Sequence, residues 1–207
     1  MFKLNYIIYK INNIMDYQKV YNEAFANPQY CKDEWLFRNI YCLENMKMKK
    51  FSNMIDIGSG RGRLLVEVQK NHPYMEITST DLNNFHKLPG IEFIKLDLSL
   101  QEDRDKIVSL YKENPKELLT CLDVLEHLDK SFIDDVFRMF SQIAKTSIFT
   151  IANHSDKVNG VELHTIQESF DFWKPYIEKY FKIVKFHDDI YVINGKPHLY
   201  ILYCEPL

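Results

Sequence analysis

Ile55-Asp56-Ile57-Gly58-Ser59-Gly60-Arg61-Gly62 joins an apolar strand pattern, running from Phe51 to Ile57, to a turn with glycine at three alternate positions. The amphipathic run Arg63-Leu-Leu-Val-Glu-Val-Gln-Lys70 follows at once and reads as a helix. A strand that turns so tightly into a helix needs residues without a Cβ, because the backbone must reach positive φ and let a ligand come close. The spacing G-x-G-x-G after an acidic residue differs from the phosphate-binding G-x-G-x-x-G. A dinucleotide pyrophosphate is therefore not the expected ligand.

Three more strand ends follow. Met75 to Asp81 alternates apolar and polar residues and ends in a carboxylate about 20 residues past the glycines, placed to accept both hydroxyls of a ribose. The plainer alternative is that Asp81 caps the following turn. Ile91 to Leu96 is a second such strand and ends at Asp97-Leu98. Leu118 to Leu122 is a third, and it opens into Asp123-Val-Leu-Glu126-His127-Leu128.

These four motifs, in this order, resemble those of the class I S-adenosylmethionine (SAM) dependent methyltransferases. The D-x-x-E-H-L signature after the fourth strand is the most specific of them. The resemblance implies that Asp56, Gly58, Ser59, Gly60 and Gly62 contact the cofactor, with Asp81 and Leu82 at its ribose. It also implies that Asp97 and Leu98 lie beside the adenine, and Asp123 near the reacting methyl group. SAM is the implied cofactor.

Alternation of short apolar strands with amphipathic helices predicts an α/β fold with a doubly wound, parallel sheet. The expected elements are a helix at 62–72, strands at 75–80 and 91–96, a helix at 102–113, a strand at 118–122, a helix at 130–145 and a strand at 146–152. An irregular polar stretch, 152–164, and a helix at about 167–179 follow, and two strands, 181–186 and 198–204, close the chain. Asn194-Gly195 between those two is a hairpin signal. The resemblance adds that the sheet is Rossmann-like and seven-stranded, mostly parallel with an antiparallel C-terminal strand. It covers residues 16–207 as a single domain. Residues 1–15 are expected to be an N-terminal extension and 16–48 a helical lid. In that lid Tyr17, Tyr21, Tyr30 and Trp35 are either ordinary core aromatics or part of the acceptor pocket.

The 207 residues suffice for one full core, and 46% hydrophobic with 27% charged residues is an ordinary globular composition. No stretch reaches the 18 apolar residues of a membrane span, and the interrupted apolar run from Met1 to Ile14 has no small-residue cleavage site after it. Cys31, Cys42, Cys121 and Cys204 lack C-x-x-C spacing and read as buried thiols. A net charge of −3 with arginine only at positions 38, 61, 63, 104 and 138 argues against a nucleic-acid surface. The expected location is cytoplasmic, or the host cytoplasm should the chain be viral. The oligomeric state is open.

Methyl transfer to a hydroxyl needs alignment and a proton acceptor. His127, His154 and His164 are the candidate bases, because the last two fall in the loop after the fifth strand and imidazole titrates near neutral pH. His164 is preferred, and Asp123 is counted with the catalytic residues. Asp123, Glu126, His127 and His164 could also hold a divalent cation, as similar E-x-x-E-H sets do in ubiquinone-pathway and small-RNA 3′-end methyltransferases. Here the first position is the shorter Asp, and many relatives carry the motif without metal. No metal is therefore expected. The expected acceptor is a small molecule, most plausibly a sugar or glycan terminus, because Gly160-x-Glu-Leu-His164 and the aromatics after it look like those of polysaccharide-associated enzymes. Trp173 would offer a stacking face, or else belong to the core. The alternatives are an RNA 2′-O-methyltransferase and a catalytically silent SAM-binding subunit.

Overall fold

The computed structural model describes residues 17–27, 30 and 51–207. The chain groups into two units, 1–31 and 32–207. In the first, helix α1 (Tyr17–Ala26) carries Tyr21 stacked on Phe25 at 6.3 Å, and Phe25 meets Tyr30 edge-on at 5.5 Å. The expectations for residues 1–15, for Cys31, Trp35 and Cys42, and for the second half of the lid lie outside the described residues.

The second unit is built on strands β1 (Asn53–Ile57), β2 (Glu76–Asp81), β3 (Glu92–Lys95), β4 (Leu118–Leu122) and β5 (Ser147–Ala152). Two short pairs, β6 (Lys157–Val158) with β7 (Val161–Glu162) and β9 (Val192–Ile193) with β10 (Lys196–Pro197), flank β8 (Phe181–His187), and β11 (Leu199–Pro206) ends the chain. Its helices are α2 (Arg63–Asn71), α3 (Gln101–Tyr111), α4 (Ile133–Ile143) and α5 (Phe170–Glu178). Seven strands form one sheet in the order β3-β2-β1-β4-β5-β11-β8, with β1 to β5 parallel and β11 antiparallel to both its neighbours. This is the expected doubly wound, Rossmann-like sheet with an antiparallel C-terminal strand. The order reverses between β1 and β4, and ligands of such sheets bind at the carboxyl ends beside that switch.

The two-residue period of a strand sends alternate side chains to opposite faces. Ile55, Ile57, Leu119, Cys121, Phe149 and Ile151 pack on one face with α4 residues Phe137 and Phe140. Met54, Leu118, Ile148 and Ile201 pack on the other with Leu65 and Val68 of α2. Helix α4 supplies most of the first layer because Ile133, Val136, Phe137, Phe140 and Ile143 recur at helical spacing and are all buried. Cys121 and Cys204 are buried free thiols, as expected. Among the described residues, no helix is long and apolar enough to cross a membrane.

Three boundaries differ from the sequence expectation. The helix expected from residue 130 starts as a 3₁₀ turn over Lys130–Phe132, because the Asp129 carboxylate accepts the Ser131 N–H at 2.9 Å and caps that turn. The helix expected from 167 begins at Phe170, since the Ile166 N–H is spent on the Glu126 carbonyl and the Thr165 hydroxyl on the Leu128 carbonyl at 2.6 Å. The irregular stretch 152–164 contains the β6–β7 hairpin, turned by Asn159 (φ 52°) and Gly160 (φ 80°). Asn194 (φ 52°) and Gly195 (φ 74°) turn β9 into β10 in the same way. Both are Asn-Gly turns with two residues at positive φ, the type that matches strand twist.

Candidate functional site

The site starts from the turn after β1. Gly58, Gly60 and Gly62 all take positive φ, at 73°, 50° and 68°. A Cβ on Gly58 would stand 2.3 Å from Val124 Cγ2, and one on Gly62 would stand 2.7 Å from His86 Cβ. Gly58 and Gly62 are thus required by their neighbours as well as by their backbone. Gly58→Ala is expected to cost about 1–3 kcal/mol of stability, from strain at positive φ plus overlap with Val124. Denaturant unfolding measures this, and Val124→Ala should recover part of the loss in the double variant. Full additivity of the two losses would show that Val124 is not the obstacle.

The Gly58 and Ser59 N–H groups both donate to the Thr80 carbonyl at 2.9 Å, which ties the turn to the end of β2. Asp81 completes that tie. One carboxylate oxygen accepts from the Gly60 N–H at 2.8 Å and the other from the Leu82 N–H at 2.7 Å. Burial pushes the Asp81 carboxyl up to about 6, against the pull of those N–H groups. The Asn83 N–H is a third donor to this carboxylate, which leaves one of its four lone-pair sites for a ligand hydroxyl.

Asp56 lies deeper, at the end of β1 and across from Thr120 of β4. The Thr120 hydroxyl donates to it at 2.5 Å. Burial is the main reason its carboxyl rises to about 7, and the nearby Asp81 charge adds to it. The sign of the linkage follows. A carboxyl raised from 3.8 to about 7 destabilises the folded state above pH 7, less as pH falls, and not at all below pH 4. Asp56→Asn keeps the acceptor for Thr120, so it should stabilise the protein at pH 8 by up to roughly 4 kcal/mol, at about 1.4 kcal/mol per pKa unit. Thermal unfolding at pH 8 and pH 4 tests this. An equal effect at both would remove the titration argument.

Asp97 is part-buried after β3, with its carboxylate accepting from the Ser99 N–H (2.9 Å) and hydroxyl (2.6 Å). Leu98 beside it is buried. Asp123, after β4, takes φ 55°, a strained value for a non-glycine residue. It persists because its N–H and its carboxylate both bond Thr150 of β5, at 2.9 Å each to the hydroxyl. Strained backbone held in this way is common at functional sites.

Glu126 is fully buried. Its Oε1 accepts from the Ala152 N–H at 2.8 Å, while Oε2 has no hydrogen-bond partner. Burial, followed by the Asp123 charge, pushes its carboxyl well above the usual range. His127 directs Nδ1 at the Leu163 carbonyl (3.1 Å), and burial with the neighbouring His164 ring pulls its pKa down to about 3. His164, 3% exposed, directs Nδ1 at the His154 carbonyl at 2.6 Å. A carbonyl only accepts, so the proton of neutral His164 sits on Nδ1 and Nε2 carries the lone pair.

The loop after β5 thus brings the three candidate bases together. The His164 ring lies 4.6 Å from that of His127 and 4.9 Å from that of His154. Glu162 fixes the loop by accepting from the Ser155 hydroxyl (2.5 Å) and from the N–H groups of Asp156 (2.9 Å) and His164 (3.1 Å). The ligand atoms of Glu126, His127 and His164 all lie within 4.8 Å of one another, and Asp123 stands outside that group. Trp173 is fully buried in the core under α5, so it presents no stacking face. The aromatic run is core, and Gly160–His164 builds the loop.

Four contributors were not indicated by the sequence. Thr120 and Thr150 are single polar residues inside apolar strands, and that pattern was their only signal. His198 and Tyr191, in the connection from β8 to β11, reach the same loop. The His198 ring stacks near that of His154 at 5.9 Å, and Tyr191 meets His198 edge-on at 5.8 Å. His86, by contrast, is structural: it accepts the Leu88 N–H and bonds the Ser79 hydroxyl beside Gly62.

No protein-family model and no curated protein matches the sequence. Solved structures do match the fold. The N-methyltransferase NodS from Bradyrhizobium japonicum WM9, in complex with S-adenosyl-L-homocysteine (SAH), aligns with a TM-score of 0.66 at 12% identity over 92% of this chain and 97% of its own. The methyltransferase domain of bacterial CtHen1-C aligns at 0.61 and 17% identity, over 81% and 96%. Human N-acetylserotonin methyltransferase in complex with SAM aligns at 0.63 and 14% identity, over 89% of this chain and 56% of that one. At these identities the likeness establishes a shared fold.

Proposed function

We propose that this chain is a SAM-dependent methyltransferase acting on a hydroxyl group of a small acceptor. The observation that carries the reading is the Asp81 carboxylate, held by the Gly60 and Leu82 N–H groups at the carboxyl end of β2, next to β1, with acceptor capacity to spare. That arrangement suits a ribose diol. Asp97 and Leu98 stand one strand further out, where an adenine joined to that ribose would lie. The ligands bound in two solved neighbours, SAH and SAM, accord with it.

In the reaction the acceptor oxygen attacks the sulfonium methyl as its proton passes to a base. The carbon–sulfur bond breaks, and its electron pair stays on sulfur, leaving the neutral thioether SAH. His164 is the proposed base, because its lone-pair nitrogen is set by the His154 carbonyl and its ring sits between two other imidazoles. Burial lowers both imidazoles, and His127, pulled down to about 3, is the weaker proton acceptor. A sugar or glycan terminus is the acceptor class that the resemblance of Gly160–His164 implies. Binding tests the cofactor reading: titration calorimetry should show micromolar SAM and SAH binding and no heat with NAD. No heat with SAM would end the proposal.

One observation favours a metal-assisted variant. Glu126 Oε2 is buried without a partner beside two imidazoles, and an orphan of that kind calls for a proton or a cation. One carboxylate and two neutral imidazoles fit a divalent cation, with modest contraction to metal–ligand distances of about 2.0–2.2 Å. Glu126, His127 and His164 would hold it, and it would lower the pKa of an acceptor hydroxyl.

A further inference from the structure

The loop after β3 is clamped from the following helix by two adjacent side chains. Asp103 Oδ2 accepts the Asp97 N–H at 2.8 Å. Arg104 donates from Nη1 to the Leu98 carbonyl at 2.5 Å and from Nη2 to Gln101 Oε1 at 2.7 Å. The guanidinium is 4% exposed, lies 3.5 Å from the Asp135 carboxylate of α4, and sits over the Phe132 ring at 5.7 Å. Burying a charge in this way is costly unless its partners are fixed. Here they are fixed, and what they fix is the pair Asp97-Leu98. A surface helix with Asp and Arg in its first turn needs neither residue turned inward, so solubility does not explain the arrangement.

We infer that Asp103 and Arg104 are positioning residues for the cofactor's adenine, holding the Asp97 backbone and the Leu98 carbonyl so that the Asp97 carboxylate faces the exocyclic amine. The inference rests on the SAM reading above. Asp97 has one carboxylate oxygen engaged by Ser99, and the other remains to accept from an amino group. A carboxylate selects an amine donor over a carbonyl only if its direction is held, and the two clamps hold it from both ends of the Asp97–Leu98 segment. Arg104 also links this loop to the 3₁₀ turn and helix that follow the Glu126-His127 turn, through Phe132 and Asp135.

The test compares SAH with S-inosylhomocysteine, in which the 6-amino group is replaced by a carbonyl, by titration calorimetry. The wild-type protein should prefer SAH by about 10- to 100-fold, the span of one hydrogen bond to a charged group. Asp103→Ala should bring that ratio towards one. Asp103→Asn, which keeps an acceptor for the Asp97 N–H, should restore most of it. Arg104→Met should lower the ratio likewise, with Arg104→Lys intermediate because an ammonium cannot span Leu98, Gln101 and Asp135 together. Should Arg104→Met not fold, the Asp103 pair decides. A general loss of structure would weaken both ligands and leave their ratio unchanged, and that result in Asp103→Ala would overturn the inference. SAH binding with no preference in the wild type would instead remove the adenine role of Asp97 and this inference with it. Failure to bind SAH at all would sink the cofactor reading itself.

Discussion

His164→Ala is expected to bind SAM with unchanged affinity and to methylate its acceptor about 10²–10⁴ times more slowly, the usual worth of a general base. The side chain is buried, its Nδ1 proton is committed to the His154 carbonyl at 2.6 Å, and Nε2 is left as the basic nitrogen. Nothing in the glycine turn or at Asp81 touches it, so the cofactor half of the site should survive the change. Single-turnover kinetics with SAM in excess separates the two effects. Chelation divides the mechanisms further. If a cation bridges Glu126, His127 and His164, chelator should abolish wild-type activity, and manganese or magnesium should restore it. Full activity of His164→Ala together with indifference to chelator would eliminate both roles for His164.

Asp81→Ala is expected to weaken SAM binding by about 10- to 150-fold, from the loss of a charged acceptor worth roughly 1.5–3 kcal/mol. The structure gives a second reason for a large effect. Without the carboxylate, the Gly60 and Leu82 N–H groups lose their acceptor, and the turn that must meet the cofactor loses a tie to β2. Asp81→Asn retains one acceptor oxygen and should fall between the two. Calorimetry on the three proteins checks the series. Wild-type affinity in Asp81→Ala would reduce Asp81 to a turn cap.

Much of the fold was legible because it depends on local rules. The glycines at 58, 60 and 62 announced positive φ, and all three adopt it. The apolar runs of β1, β4 and β5 and the alternation leading into β2 located these strands to within a residue or two, because strands buried on both faces leave near-continuous apolar runs. Helix ends were read less well at residues 130 and 167. There the boundary depends on where a side chain or a distant carbonyl takes up a backbone N–H. The β6–β7 hairpin had a local signal in Val158-Asn-Gly-Val161 that matches Asn194-Gly195, but a two-residue pair has too little periodicity to stand out.

For the site, the sequence by itself determined which strand ends carry Asp56, Asp81, Asp97 and Asp123, since each carboxylate falls at or beside the end of a strand pattern. It also determined that His127, His154 and His164 fall after β4 and β5. Only the tertiary structure decided how these groups bear on one another. Strand order buried Asp56 across from Thr120, and that burial raised its carboxyl despite the Thr120 hydrogen bond. The folding-back of the loop after β5, held by Glu162, set His164 between His127 and His154 and left Glu126 Oε2 without a partner. The passage of the chain from β8 into β11 carried His198 and Tyr191 to the same place, and the inward face of α5 put Trp173 in the core. Those outcomes depend on contacts between residues as far as 64 positions apart in the chain, and the periodicity of a single segment carries no information about them.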